Sequence, residues 1–234
     1  MKLSNKKYGF TLSEVLITLS LIGFLATMTL STVGSSVQQR ARLAEFRTAA
    51  AKMEAAMKNI TIDEGKVYSC YKLPDNNTKD EFGLSIKGTP SEKSTECRAF
   101  MDAFVKAMGA TRKCENNSVT EGCLPSNYPS APGGNFNINN SKSYVLDNSM
   151  IIISDGSNYM RLFAIDVNGR KGPNKWGQDI FAFSTRVSES VLIGNKTFIK
   201  SVNIFPPDNP DNYLGGDASK TTAQMMKESA GIRE

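Results

Sequence analysis

The sequence predicts an α+β fold in which one long N-terminal helix precedes an antiparallel β-sheet domain. Apolar residues recur with helical spacing as far as Ile60, and no proline occurs before Pro74. Runs of strand-forming residues begin only at Tyr144. All four cysteines lie between these two regions, and a length of 234 residues suffices to bury one sizeable core. This order places the sheet against the second half of the helix.

Charge and composition argue against nucleic-acid binding and against catalysis. The chain has 28 basic and 23 acidic residues, and Lys2, Lys6 and Lys7 lie within the first nine positions. The remainder is nearly balanced in charge and offers no basic stripe for nucleic acid. The chain has no histidine, which removes the usual general base and the commonest metal ligand. We therefore expect a structural or binding protein rather than an enzyme.

The N-terminus has the pattern of a membrane anchor. Residues 1–9 are basic and polar, and the next 24 residues, Phe10 to Val33, are largely apolar with one charge, Glu14. A helix of about 20 such residues spans a bilayer, and the lysines before it favour a cytoplasmic N-terminus. A secretory signal has a shorter apolar run, of about 7–15 residues. A plain anchor leaves Glu14 unexplained, because a lone carboxylate in hydrocarbon is unfavourable by about 2.5–3.5 kcal/mol.

The start of this apolar segment resembles a known family. Positions 6–16 read KKYGFTLSEVL, which is similar to the class III leader junction of type IV pilins and type II secretion pseudopilins. The resemblance implies that a prepilin peptidase cleaves between Gly9 and Phe10 and methylates the new amino group of Phe10. It implies that Glu14 pairs with that amine on a neighbouring subunit. The implied fold is pilin-like, and the implied function is filament assembly.

The same resemblance implies partners and a location. The partners are copies of this chain, other pilins, the prepilin peptidase and an inner-membrane assembly platform. The subunit spans the inner membrane once, with a cytoplasmic N-terminus and an exported domain, before it enters a cell-surface pilus or a periplasmic pseudopilus. The choice between these two filaments stays open, as does a tip-located binding module, although Glu14 favours a place in the filament body.

Four segments are expected along the chain. Residues 1–9 are the leader peptide, 10–34 the transmembrane and filament-core helix, 35–60 an amphipathic continuation of that helix, and 61–234 the exported α+β domain. The continuation carries an apolar stripe at spacings of three and four residues, formed by Leu43, Phe46, Ala50, Met53, Met57 and Ile60. Such a stripe predicts a helix that contributes to the core of the domain.

Local patterns predict the elements of the exported domain in order. Residues 61–94 are rich in loop signals, and 115–143 are predicted to be irregular. A helix is predicted at Glu96–Ala110, where Cys97, Met101, Phe104 and Met108 share one face. The predicted strands are Tyr144–Ser154, Tyr159–Val167, Ile180–Thr185, Val191–Gly194 and Phe198–Phe205, and a short helix is expected near Thr222–Lys227.

The four cysteines, Cys70, Cys97, Cys114 and Cys123, predict two disulfide bonds. They follow the apolar segment and are expected in an oxidising compartment, where an even number of cysteines is typical of a disulfide framework. Three connectivities are possible, and we favour Cys70–Cys97 with Cys114–Cys123. A zinc site is the alternative, but the chain has neither a C-x-x-C pair nor a histidine.

Residues 166–181, which read DVNGRKGPNKWGQDIF, are the most distinctive stretch of the exported part. They resemble a loop that recurs between two strands of pilin-like proteins, and some pseudopilins hold calcium near this place. Asp166, Asn168 and Asp179 offer the hard oxygen ligands that calcium prefers. A calcium site formed by these three residues is therefore one interpretation of the loop.

The other interpretation of this loop is a metal-free turn. Its spacing differs from that of an EF-hand loop, and three cations, Arg170, Lys171 and Lys175, oppose a bound metal ion. In the turn, the side chains of Asp166 and Asn168 bind backbone N–H groups, and the glycine after them adopts a positive φ. We favour this interpretation and expect no cofactor.

Overall fold

The computed structural model describes residues 9–65, 68, 70, 90–132, 138, 141–154, 162–193, 196–207, 210–216 and 219–231. Helix α1 spans Leu12–Glu64, and α2 spans Pro90–Ala107. The strands are β1 (Ala110–Cys114), β2 (Lys142–Leu146), β3 (Ile151–Ser154), β4 (Leu162–Asp166), β5 (Ile180–Ile193) and β6 (Lys196–Phe205). A 3-10 helix at Pro210–Tyr213 and helix α3 at Thr222–Ser229 follow.

The chain divides into two compact units, Met1–Ala41 and Arg42–Glu234. In the first unit the described residues are Gly9 to Thr11, which belong to no helix or strand, and then the beginning of α1. Helix α1 is continuous over 53 residues, as the absence of proline predicts. It ends where Gly65 takes a φ of 62°, the left-handed conformation in which glycine commonly terminates helices.

The second unit contains one antiparallel sheet with the strand order β1-β2-β3-β4-β5-β6. Each strand therefore lies beside its neighbours in the sequence. The register places Ile152, Ile165 and Phe181 in one row on one face. The adjacent positions Ile151 and Asp166 form a row on the opposite face. All four residues of β3 are buried, so the central strands are covered on both sides.

The first face of the sheet packs against helices α1, α2 and α3. The stripe predicted from the sequence is confirmed, because Phe46, Met53, Met57 and Ile60 are buried in this core and Leu43 and Ala50 are partly buried against it. The predicted face of α2 is buried there as well. Phe46 of α1 makes an edge-to-face contact with Phe181 at a centroid distance of 4.9 Å, a geometry that stabilises by about 0.5–1.5 kcal/mol beyond area burial.

The second face of the sheet is covered by irregular chain rather than by helices. Its core combines strand residues with side chains from residues 124–138, from the loop after β4 and from the 3-10 helix: Leu124, Tyr128, Ala131, Ile138, Trp176 and Tyr213. The irregular excursion predicted at 115–143 thus has a structural role. It supplies the layer that keeps water from this side of the sheet.

Several element boundaries differ from the predictions. The predicted strand Tyr144–Ser154 is two strands, because residues 147–149 form a turn in which Ser149 has a φ of 71°. The predicted helix Glu96–Ala110 ends at Ala107, since Gly109 takes a φ of 76°, and it begins earlier, at Pro90. Proline is well suited to the first turn of a helix, where its missing N–H is not needed.

The strands at both edges of the sheet also differ from prediction. Strand β1 was not predicted: Ala110 was assigned to the end of a helix, and residues 111–114 were assigned to no element. Its sequence ATRKC carries three exposed polar side chains and lacks an apolar alternation. The predicted strands Ile180–Thr185 and Val191–Gly194 are parts of one strand, β5. Its pairing with β6 is irregular at two points. The predicted beginning of β4, at Tyr159, lies outside the described residues.

Helix α3 is held at both ends by specific hydrogen bonds. Thr221 and Gln224 form a capping box at its N-terminus. At its C-terminus, the guanidinium of Arg47 on α1 donates to the carbonyl oxygens of Ser229 (3.1 Å) and Glu228 (3.3 Å). The carbonyl groups of a last helical turn have no partner within the helix, so Arg47 satisfies them. The predicted short helix is therefore confirmed and extends to Ser229.

Candidate functional site

The bond between Gly9 and Phe10 lies in an open and exposed stretch of backbone. Both residues precede the helix, and the side chain of Phe10 is 88% exposed. No atom beyond the adjacent residues lies within 4 Å of the position that a Cβ of Gly9 would occupy. Exposed backbone that is not helical is the kind that peptidases cleave. The rest of the predicted leader, residues 1–8, is outside the described residues.

Thr11 and Glu14 form a capping box at the first turn of α1. The backbone N–H of Glu14 donates to Oγ1 of Thr11 (3.3 Å), and the backbone N–H of Thr11 donates back to Oε2 of Glu14 (2.8 Å). The hydroxyl of Thr11 also donates to Oε2 of Glu14 (2.8 Å). The signature T-x-x-E is visible in the sequence at 11–14, although our sequence reasoning considered only the charge of Glu14.

The first part of α1 exposes nearly all of its large apolar side chains. These are Leu12, Val15, Leu16, Ile17, Leu19, Leu21, Ile22, Phe24, Leu25 and Met28. The hydroxyl groups among them donate to carbonyl groups of the same helix, for example Thr18 to Glu14 (2.9 Å) and Ser20 to Leu16 (2.8 Å). An apolar surface of this extent marks a site of association.

The transmembrane character expected for residues 10–34 is not shown by the structure. Among the described residues, no helix combines the length and the hydropathy needed to cross a membrane.

In the second unit, the carboxyl group of Asp166 lies at the end of β4 and is completely buried. Its Oδ1 accepts the backbone N–H of Asn168 (3.2 Å), and its Oδ2 accepts the hydroxyl of Tyr128 (2.8 Å). The glycine that follows, Gly169, has a φ of 66°. This is the turn geometry expected from the sequence. The contribution of Tyr128 was not foreseen, because it comes from the irregular segment, which carries no periodic signal.

Asp179 closes the other end of the same loop and is also completely buried. Its Oδ1 accepts the backbone N–H of Lys175 (2.5 Å), and its Oδ2 accepts that of Asn174 (2.8 Å). The side-chain amide of Asn168 donates to Oδ2 as well (3.3 Å). Bonds of this type from backbone N–H groups to a carboxylate are strong, so they hold residues 168–179 as one folded loop.

The buried environment alters the acidity of Asp166 and Tyr128. Burial raises the pKa of Asp166 from its ordinary value of 3.8 to about 7, while the hydroxyl of Tyr128 lowers it and the nearby Asp179 raises it. Burial and the charge of Asp166 hold the pKa of Tyr128 well above its ordinary value of 10. The hydroxyl of Tyr128 is therefore protonated at neutral pH, where the carboxyl group of Asp166 changes its charge.

The predicted calcium ligands are arranged unfavourably for a metal ion. All four carboxyl oxygens of Asp166 and Asp179 already accept hydrogen bonds. The remaining hard oxygen, Oδ1 of Asn168, is buried without a hydrogen-bond partner. The three predicted residues thus leave one side-chain oxygen available, whereas calcium takes about six to eight oxygen ligands. Within the described residues there is no cluster of three or more His, Cys, Asp or Glu side chains suited to a metal ion.

Trp176 connects this loop to two other parts of the chain, the irregular layer at Pro129 and residues 213–219. Its ring is 1% exposed and lies 5.8 Å from the ring of Tyr213. Its Nε1–H donates to the carbonyl of Pro129 (3.0 Å), and its own carbonyl accepts the N–H of Gly215 (2.8 Å) and the hydroxyl of Ser219 (3.0 Å). The side chain of Trp176 therefore belongs to the core of the domain and not to its surface.

The cysteines form the disulfides Cys70–Cys97 and Cys114–Cys123, the connectivity favoured above. No cysteine remains as a thiol, so the alternative zinc site has no ligands. The second disulfide closes the loop at the start of the irregular layer. The Nε–H of Arg170, in the loop after β4, donates to the carbonyl of Cys123 (3.3 Å) and links the two.

Comparison with known proteins identifies the N-terminal segment. No curated protein and no solved structure matches the chain. Residues 4–30 match the prokaryotic N-terminal methylation motif, and this range contains Gly9, Phe10 and the capping box of Thr11 and Glu14. The N-terminus of this chain is thus a prokaryotic N-terminal methylation motif, consistent with the class III leader of a type IV pilin or pseudopilin.

Proposed function

We propose that the chain is a structural subunit of a type IV filament, a major or minor pilin. A prepilin peptidase cleaves it between Gly9 and Phe10 and methylates the new amino group of Phe10. The subunit then assembles through its N-terminal helix with copies of itself and with other pilins. The observation that carries the proposal is the methylation motif at residues 4–30, located where the backbone is open and the helix begins.

The exposed apolar surface of the first part of α1 supports this function. Side chains such as Leu16, Ile22 and Phe24 are more than half exposed. Such a surface is stable only when lipid or other protein covers it. We propose that the inner membrane covers it before assembly, with the N-terminus in the cytoplasm, and that neighbouring helices cover it in the filament. An inner-membrane assembly platform would then move the subunit from one environment to the other.

The carboxylate of Glu14 is suited to fix the register between neighbouring subunits of the filament. It is the only acidic side chain in the first part of α1, residues 12–28, which is largely apolar. A charge in such surroundings needs a partner, and the amino group that cleavage creates on Phe10 of the next subunit supplies one. A buried ion pair of this kind selects one register more than it adds stability.

The second unit has the features expected of an exported domain that is structural rather than catalytic. Its two disulfides suit an oxidising compartment. The buried groups Asp166 and Asp179 hold a loop together rather than facing a cleft. The loop hydrogen bonds and the absence of histidine from the sequence favour a structural role over acid–base chemistry.

Intact mass spectrometry of two fractions from the same cells tests the proposal. We expect a species that begins at methylated Phe10 in sheared surface material, and a Glu14→Ala variant that is processed but absent from that material. A processed species confined to washed membranes would instead favour the alternative, a pseudopilin of a type II secretion system that drives protein export. Recovery only of the chain with residues 1–9 attached, in cells with an active peptidase, would overturn both.

A further inference from the structure

Strand β6 forms one edge of the sheet. Among the described residues its only strand neighbour is β5, so one side of its backbone faces away from the sheet. A strand edge presents a row of N–H and C=O groups with which a strand of another molecule can pair. The last part of β6 is largely apolar, and the side chains of Val202 and Ile204 belong to the core. An edge of this composition is prone to pairing between copies of the chain.

The backbone N–H and C=O groups of Ile204 point away from β5. Successive residues of a strand direct these groups to opposite sides. On β5, Ile180 donates its N–H to Lys175 and accepts from Gly177, so its backbone groups do not face β4. Positions 182 and 184 of β5 have the same direction and face the β6 side. Residue 185 therefore faces β4, and Ile204, which lies opposite residue 185, faces outward.

The outward N–H of Ile204 is bound by the side chain of the residue before it. Oδ1 of Asn203 accepts this N–H at 2.9 Å. The next outward position is Pro206, which has no N–H. The carbonyl of Pro206 accepts from the guanidinium of Arg186 (2.7 Å) and from the hydroxyl of Ser184 (3.3 Å). A strand laid along this edge would thus meet no available donor at positions 204 and 206.

We propose that Asn203 protects the edge of β6 against pairing with a strand of a second copy of the chain. Its amide oxygen occupies the one outward donor that the last part of the strand has, and a ladder of hydrogen bonds needs that donor. The two irregularities in the pairing of β5 with β6 lie beside this point, between Val187 and Ser190, and such bulges increase the local twist of a strand pair. The protection does not depend on the proposed function, since it concerns any crowded copies of the domain.

The test uses the full chain in detergent micelles and compares variants at position 203. Asn203→Leu removes the acceptor at nearly constant volume, and Asn203→Ala removes it without adding a large apolar group. Asn203→Asp keeps an acceptor oxygen. Ser201→Leu is the matched control, because residue 201 lies on the same face of β6 and the change adds apolar surface without altering the N–H of Ile204.

Two quantities are measured for each variant. Amide hydrogen exchange at residue 204, followed by NMR at low protein concentration, reports whether its N–H is bound. Sedimentation over a range of concentrations reports how many copies associate. A melting curve for each variant shows that the domain is folded.

We expect exchange at residue 204 to be about tenfold faster in Asn203→Leu and Asn203→Ala than in the wild type, the order expected when one hydrogen bond is lost. Both variants should associate at lower concentrations than the wild type, and association should restore the protection of this amide. Asn203→Asp and Ser201→Leu should exchange as the wild type does at residue 204. Asn203→Asp should also associate no more than the wild type.

Three outcomes would overturn the inference. The first is unchanged exchange at residue 204 in both Asn203→Leu and Asn203→Ala. The second is association of these variants no stronger than that of Ser201→Leu, which would make added apolar surface the cause. The third is association of Asn203→Asp as strong as that of Asn203→Leu. Filament assembly enters none of these measurements, so the proposed function stands or falls separately.

Discussion

The hydroxyl of Tyr128 donates to Oδ2 of Asp166 across 2.8 Å, and both groups are buried. Tyr128 belongs to the irregular layer and Asp166 to the end of β4, so this bond fastens that layer to the sheet. It is one of a few polar contacts there, together with the bonds of Trp176 to Pro129 and Arg170 to Cys123. Hydrogen bonds between buried groups are strong because the local dielectric constant is low. For the same reason, breaking one leaves a polar group unpaired at a high cost in free energy.

The stability of the domain is expected to fall as the pH rises from about 4 to about 7. The pKa of Asp166 is about 7 in the folded chain and 3.8 in ordinary surroundings, so between these values the folded chain holds a proton that the unfolded chain has released. The stabilising contribution of this group is therefore complete below about pH 4 and is lost as the pH rises to about 7. The difference in unfolding free energy between the wild type and Asp166→Asn should change by about 1.4 kcal/mol per pH unit in this interval. Denaturant titrations from pH 4 to 8 measure it, and a constant difference would contradict the prediction.

Removal of the Tyr128 hydroxyl should weaken the domain. Tyr128→Phe leaves the buried Oδ2 of Asp166 without this donor, and a loss of about 1–3 kcal/mol is expected. Urea unfolding at pH 8, where the carboxyl group is ionised, gives the largest effect. Tyr144→Phe is the matched control, because Tyr144 is also buried but makes no side-chain hydrogen bond among the described residues. Equal losses in the two variants would show that the bond to Asp166 is unimportant.

Gly169 should tolerate no side chain. Its φ is 66°, and a Cβ would lie 2.0 Å from the carbonyl oxygen of Ser149. Gly169→Ala is expected to destabilise the domain by about 3 kcal/mol or more, because backbone must move. Gly231→Ala is the control, since Gly231 has a φ of 78° but no atom within 4 Å of such a Cβ. Thermal unfolding should give a clearly lower Tm for the first variant than for the second.

The two disulfides should contribute unequally. They join cysteines that are 27 and 9 residues apart, and a longer closed loop restricts the unfolded chain more. Replacing Cys70 and Cys97 by serine should lower the free energy of unfolding by about 3.5 kcal/mol, and replacing Cys114 and Cys123 by about 2.5 kcal/mol. Urea midpoints measure both, with alkylation and mass analysis to confirm that the other disulfide remains. The opposite order would show that packing around Cys123 outweighs loop length.

Calcium should leave the Tm unchanged. The carboxyl oxygens of Asp166 and Asp179 are already occupied by hydrogen bonds, so binding would require these bonds to break first. Thermal unfolding in excess calcium and in excess chelator measures the effect. A higher Tm in calcium, abolished in Asp179→Asn, would restore the calcium interpretation of this loop.

The elements with strong periodicity could be predicted from the sequence, and those specified by tertiary contacts could not. The stripe of α1 from Phe46 to Ile60 is visible because a helix repeats its buried face every three or four residues. The turn at 147–149 was missed because apolar residues on both sides suggested one strand, although Asp147 and Asn148 are typical turn formers. Strand β1 has no pattern of its own, since its conformation depends on pairing with β2.

For the candidate sites, the same distinction holds between local and distant partners. Asp166 and Asn168 are two positions apart, so their turn could be inferred from sequence spacing. Tyr128 lies 38 positions from Asp166, and no short-range rule relates them. At the N-terminus, both members of the capping box lie within four residues, so the pattern T-x-x-E could have predicted it, although only the charge of Glu14 was considered.

The contacts made by residues 213–229 have a consequence for synthesis. Gly215 and Ser219 bind the carbonyl of Trp176, and the last turn of α3 is capped by Arg47, far earlier in the chain. A polypeptide emerges with its N-terminus first, so these contacts form only after residues 213–229 have been made. Until then Trp176 lacks part of its cover and the carbonyl groups that Arg47 will satisfy do not exist. Folding of the domain therefore depends on residues 213–229, and a product cut short before them is left with an incomplete core.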